Sequence, residues 1–333
     1  MIHKDKGTQP NLSQLEENLI FKIRLETERF NVDNVSRTSA YFDFYLKHPD
    51  IIWAFLASMV SRNGGYNMCD LEGDWFPLIL EPPVRRTLFQ TYERANWTIF
   101  RDAFPQLLLY HYSTKMGMPL FHLLVHLNIS TFMKGEWESY WKERDKKRLM
   151  DALIVNEQNV IHSTVIEHPV FQRKVFNSFR FLFQDFFHFS AVLLPTRRGE
   201  LYGASVNGFK SVNKRINLGK RIASILFDPE LYPLFLDFAL TTEHTGSRYD
   251  YEQYLFAGKK RDTPFLRWTF PVMNHHYRRQ PDWFRERRFH KNWMNPAITH
   301  RHPIHLTNWF LDKQRQFHTF VSITELIANK TKM

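Results

Sequence analysis

The hydrophobic positions near the start of the chain repeat with the spacing of an α-helix. The first stripe consists of Leu12, Leu15, Leu19, Ile23 and Phe30. Ser13 and Glu16 stand three residues apart at its beginning, which is the pattern of a capping box that satisfies the first backbone amides of a helix. This periodicity continues through the first half of the chain and predicts a succession of helices.

Two features of this half predict helix boundaries. Residues 51–60 are nearly all apolar and indicate a buried helix, which the run Asn63-Gly64-Gly65 is expected to stop. Pro105 is expected to open a new helix, because proline suits the first turn and is costly in a helix interior. The preceding helix would then end near Ala103.

The most apolar helix is predicted at residues 169–189, which contain eight phenylalanines. Phe176 and Phe183 lie seven residues apart on one stripe, so we expect both in the core. Strand character is confined to residues 191–194 and 201–206, which can pair across an Arg-Arg-Gly turn. The fold class predicted is mainly α, an irregular multi-helix domain with at most one small β-hairpin.

The chain divides by composition into four parts that together form one domain. Residues 1–10 are predicted to be a flexible N-terminus and residues 11–258 a helical body. Residues 259–306, called here the basic segment, are rich in Arg, His, Trp and Pro and are expected to lie packed on that body. Residues 307–330 are predicted to form a C-terminal helix.

Composition narrows the class of protein further. Cys69 is the only cysteine among 333 residues, so no internal disulfide can form, which fits a reducing compartment. The first residues include Lys4, Asp5 and Lys6 and lack the apolar stretch of a secretory signal. No run is long and apolar enough to predict a transmembrane segment. We therefore expect a cytoplasmic protein. The oligomeric state is not predicted by any pattern in the sequence.

Three short motifs resemble a known family. They are Ser61-Arg62-Asn63-Gly64-Gly65-Tyr66-Asn67-Met68, Glu93-Arg94-Ala95-Asn96 and Asp102-Ala103-Phe104-Pro105-Gln106-Leu107. Together they resemble the YppC-like proteins, a family of unknown function in spore-forming bacilli, and the resemblance extends over about residues 12–310. It implies a bacterial cytoplasmic protein of unassigned activity. The family supplies no catalytic residues that could be carried over to this chain.

The positive charge is concentrated near the C-terminus. The net charge is +11, and residues 259–315 contain thirteen Lys and Arg against four Asp and Glu. Cations alternate with rings there, a pattern that could hold the backbone and stack on the bases of single-stranded nucleic acid. The candidate contacts are Arg278, Arg279, Trp283, Arg285, Arg287 and Arg288. Alternatively, these groups pack internally, bridge acids of the body, are solvated, or face an anionic lipid surface.

Polar residues inside apolar helices form a second set of candidates. They are Glu93, Asn96, Asp102, His244, Arg248 and Asp250. Charged side chains are seldom buried unpaired, so Glu93 or Asp102 is expected to meet an arginine, with Arg248 as first choice. Such a pair is either a structural bridge or part of a ligand pocket in which one acid acts as a base.

Signals for metals and cofactors are weaker. His300, His302 and His305 are close in sequence but lack neighbouring cysteine or acid, and whether they bind metal stays open. The stretch from Gly203 to Ser211 differs from a phosphate-binding loop by an inserted Phe209, which displaces its lysine. No metal site and no cofactor are therefore predicted.

The function best supported by these patterns is that of a non-enzymatic binding or interaction protein, with single-stranded nucleic acid as a candidate partner. The alternative is an enzyme of unknown reaction with a helical pocket near Glu93, Asp102, His244 and Arg248. Convergence of these four side chains on an open cleft would favour the enzyme, whereas separate or dry pairing would favour the binding protein.

Overall fold

The computed structural model describes residues 12–169, 191–205, 210–277, 279, 281–286, 289–295 and 304–330, the side chains of 325 and 328–330 excepted. The predicted flexible N-terminus and the predicted Phe-rich helix with Phe176 and Phe183 lie outside these residues. The boundaries proposed at residues 258 and 306 stay predictions.

Helices dominate the described residues, which confirms the predicted fold class. The α-helices are α1 (Gln14–Phe30), α2 (Asn34–Lys47), α3 (Ile52–Asp70), α4 (Pro82–Met116), α5 (Thr131–Glu143), α6 (Lys146–Ile161), α7 (Val212–Leu226), α8 (Tyr232–Thr241), α9 (Tyr249–Leu255), α10 (Leu266–Thr269), α11 (Trp283–Glu286) and α12 (Thr307–Lys330). Shorter helical turns lie at Phe76–Leu78, Phe121–Leu127, His162–Ile166 and Lys291–Met294. The capping box of Ser13 and Glu16 is present at the start of α1.

The predicted hairpin is also confirmed. Strands β1 (Ala191–Pro195) and β2 (Leu201–Ser205) pair antiparallel, with Leu193 opposite Gly203. Gly203 has a φ of 144°, and a Cβ there would lie 2.0 Å from the carbonyl oxygen of Val192. Only glycine allows this approach. In the described part of the chain this hairpin is the only sheet.

The core is built largely from aromatic side chains of the first six helices. Trp53, Phe55, Phe100 and Trp137 are almost completely buried, and Phe100 stacks on Phe104 with ring centroids 4.5 Å apart. A second cluster includes Met68, Cys69, Phe89, Leu266 and Phe317. This second cluster joins α3 and α4 to α10 and α12, so residues near the end of the chain complete the packing of residues near its start.

The run Asn63-Gly64-Gly65 does not stop α3, so the predicted boundary there is wrong. The helix continues to Asp70. A Cβ at Gly65 would lie 2.5 Å from Oδ1 of Asn34 and 2.9 Å from the ring of His244. The glycine is therefore needed because other side chains pack against the helix backbone there, and tertiary packing outweighs the poor helix propensity of glycine.

Pro105 lies inside α4 rather than at the start of a new helix, which is a second correction. Proline cannot donate to the carbonyl of Arg101 one turn earlier. The neighbouring Ala103, Phe104 and Leu107 are buried in the core. Their burial holds the chain in a helical path through the proline. None of the described helices combines the length and the apolar character needed to cross a bilayer.

Two glycines in helices give a direct test of this packing. Gly65→Ala should lower the free energy of unfolding by about 1–3 kcal/mol, because the new methyl group has to displace Asn34 and His244. Gly135 in α5 is exposed with open space around it, so Gly135→Ala should raise stability by up to about 1 kcal/mol. Urea denaturation of both variants measures the difference. Equal effects of the two substitutions would contradict the proposed role of Gly65.

Candidate functional site at Asp102

Glu93 is buried in an ion pair, as predicted, but with a different partner. Its carboxylate lies 2.5 Å from the guanidinium of Arg37, and the two side chains are 4% and 1% exposed. Arg37 also donates to Oδ1 of Asn31, at 3.1 Å, and Nε2 of His275 lies 3.6 Å from the second carboxylate oxygen. A buried acid paired with an arginine is thus confirmed for Glu93, with Arg37 in place of Arg248.

Arg248 pairs instead with the end of α3. Its Nε lies 2.6 Å from Oδ1 of Asp70 and 3.8 Å from Glu252. Lys259 lies 2.9 Å from Glu252 and completes the group. Burial raises the pKa of Asp70 to about 7 even though the charge of Arg248 lowers it. Arg248 directly precedes α9, which places it beside Asp70 at the last turn of α3 and explains why it does not meet Glu93.

His244, Asp250 and Asn96 belong to the packing around the two glycines of α3. Nε2 of His244 lies 2.8 Å from Oδ1 of Asn34, and its Nδ1 lies 3.5 Å from Asp250. Burial lowers the pKa of His244. Asn96 donates to the carbonyl of Tyr92 and lies against Gly64. These are buried packing contacts between neighbouring elements and do not form the walls of an open site.

The predicted pocket of Glu93, Asp102, His244 and Arg248 is therefore wrong, because each of the four has its own partners. Helix geometry explains the separation of the first two. Glu93 and Asp102 are nine residues apart on α4, which is two and a half turns, so they lie on opposite faces and about 13 Å apart along the axis.

Asp102 lines a cleft that none of the other three residues lines, whereas Glu93 lines a separate cavity of about 50 Å³ beside Asp33 and Leu266. The cleft has a volume of about 100 Å³ and lies between α1, α4, the end of α6 and the middle of the basic segment. Its lining includes Arg24, Arg94, Thr98, Arg101, Ser163 and Asp282. We call it the Asp102 cleft.

The carboxyl of Asp102 is held by neutral amides. Its Oδ1 accepts from Gln106 at 2.9 Å and from Asn156 at 2.5 Å. The side-chain amides of Gln106 and Asn156 are held in turn by two indoles. That of Trp137 donates to Oε1 of Gln106 and that of Trp283 donates to Oδ1 of Asn156, both at 2.9 Å. Burial raises the pKa of Asp102 to about 7, and these hydrogen bonds offset only part of that effect. A side chain fixed in this way can donate or accept a proton near neutral pH.

Three arginines line the same cleft without carboxylate partners. The guanidinium carbon atoms of Arg94 and Arg101 lie 4.7 and 5.4 Å from the ring centroid of Trp97. Arg101 also lies 3.8 Å from the ring centroid of Tyr277. Arg24 donates to the carbonyl of His126. No ion pair found among the described residues includes any of the three, and desolvation together with the charge of Arg101 lowers the pKa of Arg94.

Asp282 lines the cleft but is occupied by structural contacts. Its Oδ2 accepts from the backbone amide and the hydroxyl of Thr131, at 2.9 and 2.7 Å. Its Oδ1 accepts from the amide of Phe284. Asp282 therefore fastens the basic segment to the start of α5. Of the other two carboxyls that line the cleft, Glu28 is exposed and Asp102 is the one held in place by amides.

The basic segment is packed on the body through its rings. Trp283 is only 6% exposed, and Trp293 is also buried, with its indole donating to Asn213. Phe289 packs against Phe132. Trp283 is thus removed from the predicted nucleic-acid contacts, because a ring buried in the core cannot stack on a base. The sequence alone does not show this packing, because the hydrogen-bond partners of the two indoles, Asn156 and Asn213, are distant along the chain.

Of the arginines predicted to contact nucleic acid, the structure describes Arg279 and Arg285. Arg279 is exposed, and Arg285 has a side chain 74% exposed and lies 3.6 Å from Asp282. Arg278, Arg287 and Arg288 lie outside the described residues, as do His300 and His302. His305 packs edge to face on Tyr202. The described residues contain no group of three potential metal ligands.

The pH dependence of stability tests the environment of Asp102, which includes the carboxyls of Glu157 and Asp282 and the guanidinium of Arg101. The folded protein holds a proton on Asp102 that the unfolded chain releases near pH 4. Its contribution to stability is therefore present at low pH and is lost as the pH rises to about 7.

The stability of the parent relative to Asp102→Asn should accordingly fall between about pH 4 and pH 7. Denaturant melts across this range measure it, and the exposed Asp43→Asn corrects for the loss of one negative charge. A constant difference between parent and Asp102→Asn would contradict the raised pKa.

Comparison with known proteins agrees with the resemblance in the three motifs. A family model described as "Protein of unknown function (DUF2515)" matches residues 29–311. The chain is 44% identical over 311 residues to the "Uncharacterized protein YppC" of Bacillus subtilis (strain 168), covering 92% of this chain and 95% of that protein. No solved structure matches. The chain therefore belongs to the DUF2515 family of proteins of unknown function.

Proposed function

We propose that this protein is a non-enzymatic binding protein and that the Asp102 cleft receives a small polar ligand. The observation that carries the proposal is the carboxyl of Asp102, fixed by two amides on one side of a cleft that also contains unpaired guanidinium groups. Convergent polar groups in a concave site are the usual signature of ligand binding.

Binding is favoured over catalysis because the one carboxyl fixed in the cleft, that of Asp102, has no partner group for chemistry beside it. Asp282 is occupied by Thr131 and Phe284. His244 and Arg248 pair elsewhere. Cys69 is buried, and burial raises the pKa of its thiol, which makes it a poor nucleophile. Turnover of a ligand by the parent but not by Asp102→Asn would instead establish the enzymatic alternative, with Asp102 as the base.

Blocking the cleft provides the test. Ser163 lines the cleft, and its hydroxyl donates to the carbonyl three residues earlier. Ser224 on α7 is exposed and makes the same kind of bond. Small molecules that bind the parent, detected by ligand-observed NMR in a mixture of metabolites, should lose binding in Ser163→Tyr and keep it in Ser224→Tyr. Unchanged binding in both variants would place the ligand outside the cleft.

A second candidate function is weak binding of single-stranded nucleic acid. It is favoured by a group of rings with a cation. Two of the rings and the cation belong to the basic segment, and the third ring, that of Tyr249, lies on α9. Trp268 is 84% exposed and lies 4.5 Å from the ring of Phe265. The guanidinium of Arg261 lies 4.0 Å from that ring and 4.4 Å from Tyr249. An exposed indole beside cations suits base stacking, and this moves the expected ring contact from Trp283 to Trp268.

Fluorescence anisotropy with a labelled oligonucleotide measures this binding. Affinity should fall with salt, with a logarithmic slope of about −0.7 per phosphate neutralised on a single strand. Trp268→Ala, and Arg279→Ala combined with Arg285→Ala, should each weaken binding, whereas the exposed Arg86→Ala on α4 should not. Absence of binding at low salt, or equal effects of all these variants, would remove the proposal.

A further inference from the structure

The Asp102 cleft contains two chemically different sets of groups. Arg24, Arg94 and Arg101 line it without carboxylate partners, and the carboxyl of Asp102 lines it as well. Resting on the proposal that this cleft binds a ligand, we propose that the ligand is a small phosphate monoester that carries hydroxyl groups. Its phosphate would meet the arginines, and its hydroxyls would donate to Asp102.

The arrangement of Arg101 suits a phosphate. Its guanidinium lies over the rings of both Trp97 and Tyr277. Such stacking covers the flat faces of the guanidinium and leaves the N–H groups at its edge free to point in the plane. These groups match the oxygen atoms of a phosphate in a bidentate geometry.

Arg94 lies on the same face of α4, seven residues before Arg101, and one of its N–H groups is already bonded to the carbonyl of His276. Two neighbouring guanidinium groups that share one tryptophan and no acid repel each other. A bound dianion would relieve this repulsion, since each arginine would then have an opposite charge within reach.

Thr98 provides an independent observation. The residue lies between the two arginines, four after Arg94 and three before Arg101, and it lines the cleft. It is only 7% exposed, and its hydroxyl has no hydrogen-bond partner among the described residues. A buried hydroxyl without a partner is costly. A phosphate oxygen that reached this hydroxyl from the cleft would supply the missing partner.

The carboxyl of Asp102 accounts for the hydroxyl groups of the ligand. Oδ1 of Asp102 is occupied by Gln106 and Asn156. No hydrogen bond to Oδ2 is found among the described residues, so this oxygen is available as an acceptor. A phosphate placed against this oxygen would be repelled by an ionised Asp102, so the anionic part of the ligand is assigned to the arginines.

Isothermal titration calorimetry with four probes separates these contributions. The probes are ribose 5-phosphate, AMP, inorganic phosphate and ribose. Ribose 5-phosphate should bind more tightly than either inorganic phosphate or ribose, because only it offers both groups. AMP shares the phosphate and the hydroxyls, so it should bind as well. If AMP binds more tightly than ribose 5-phosphate, the ligand is a nucleotide; if the two bind equally, the ligand is a sugar phosphate.

Variants assign each contact. Arg101→Gln should weaken ribose 5-phosphate about tenfold, as expected for the loss of a charge-assisted hydrogen bond, and Arg86→Gln on the same helix should not. Asp102→Asn should weaken ribose 5-phosphate and leave inorganic phosphate unchanged. Thr98→Val should weaken both without lowering the melting temperature of the free protein, whereas Thr91→Val, which loses a bond to the carbonyl of Thr87, should not affect binding.

Failure of this inference is distinct from failure of the proposed function. If Ser163→Tyr abolishes binding of other metabolites while none of the three phosphate-containing probes binds at millimolar concentration, the cleft is a ligand site but the phosphate assignment is overturned. Equal binding of ribose and ribose 5-phosphate, or equal effects of Arg101→Gln and Arg86→Gln, would overturn it as well.

Discussion

The ion pair between Arg37 and Glu93 is the contact on which the arrangement of this protein depends. Both side chains are almost wholly excluded from water, and a charge removed from water without a partner costs several kcal/mol. The pair therefore requires α2 and α4 to face each other at this point. It fixes the rotation of α4 about its own axis, and that rotation decides which residues of the helix face the opposite side.

The Asp102 cleft follows from this rotation. With Glu93 turned towards α2, the residues Arg94, Thr98, Arg101 and Pro105 form a stripe at spacings of three and four, and Asp102 lies beside it. The basic segment then closes the cleft through Tyr277 and Asp282. Part of the strong positive charge near the C-terminus is paired with groups of the body: Lys259 meets Glu252, Arg267 meets Asp33, and Arg261 lies over the ring of Phe265. The buried ion pair of Glu93 and the lining of the Asp102 cleft thus both follow from the orientation of α4.

The sequence predicts the local features well and the long-range partners poorly. The capping box at Ser13, the hairpin and the final helix depend on neighbouring residues, and the structure confirms them. Arg37 and Glu93 are 56 residues apart, so no local pattern distinguishes Arg37 from Arg248 as the partner. Gly64 and Gly65 predict the end of α3 from local propensity, whereas the constraint on Gly65 comes from Asn34 on α2 and from His244 in the loop after α8, which no local pattern shows. The opposite placement of Glu93 and Asp102, in contrast, follows from counting turns along α4 and is available from the sequence.

A double-mutant cycle at the central ion pair tests this account most directly. The free energy of unfolding would be measured by urea denaturation for Arg37→Met, Glu93→Leu and the combination of the two. Each single substitution should cost about 3–5 kcal/mol because it leaves the other charge buried without a partner, and the double variant should lose much less than the sum. Losses that simply add would show that the two side chains do not act as a pair, and the proposed control of the orientation of α4 would be contradicted.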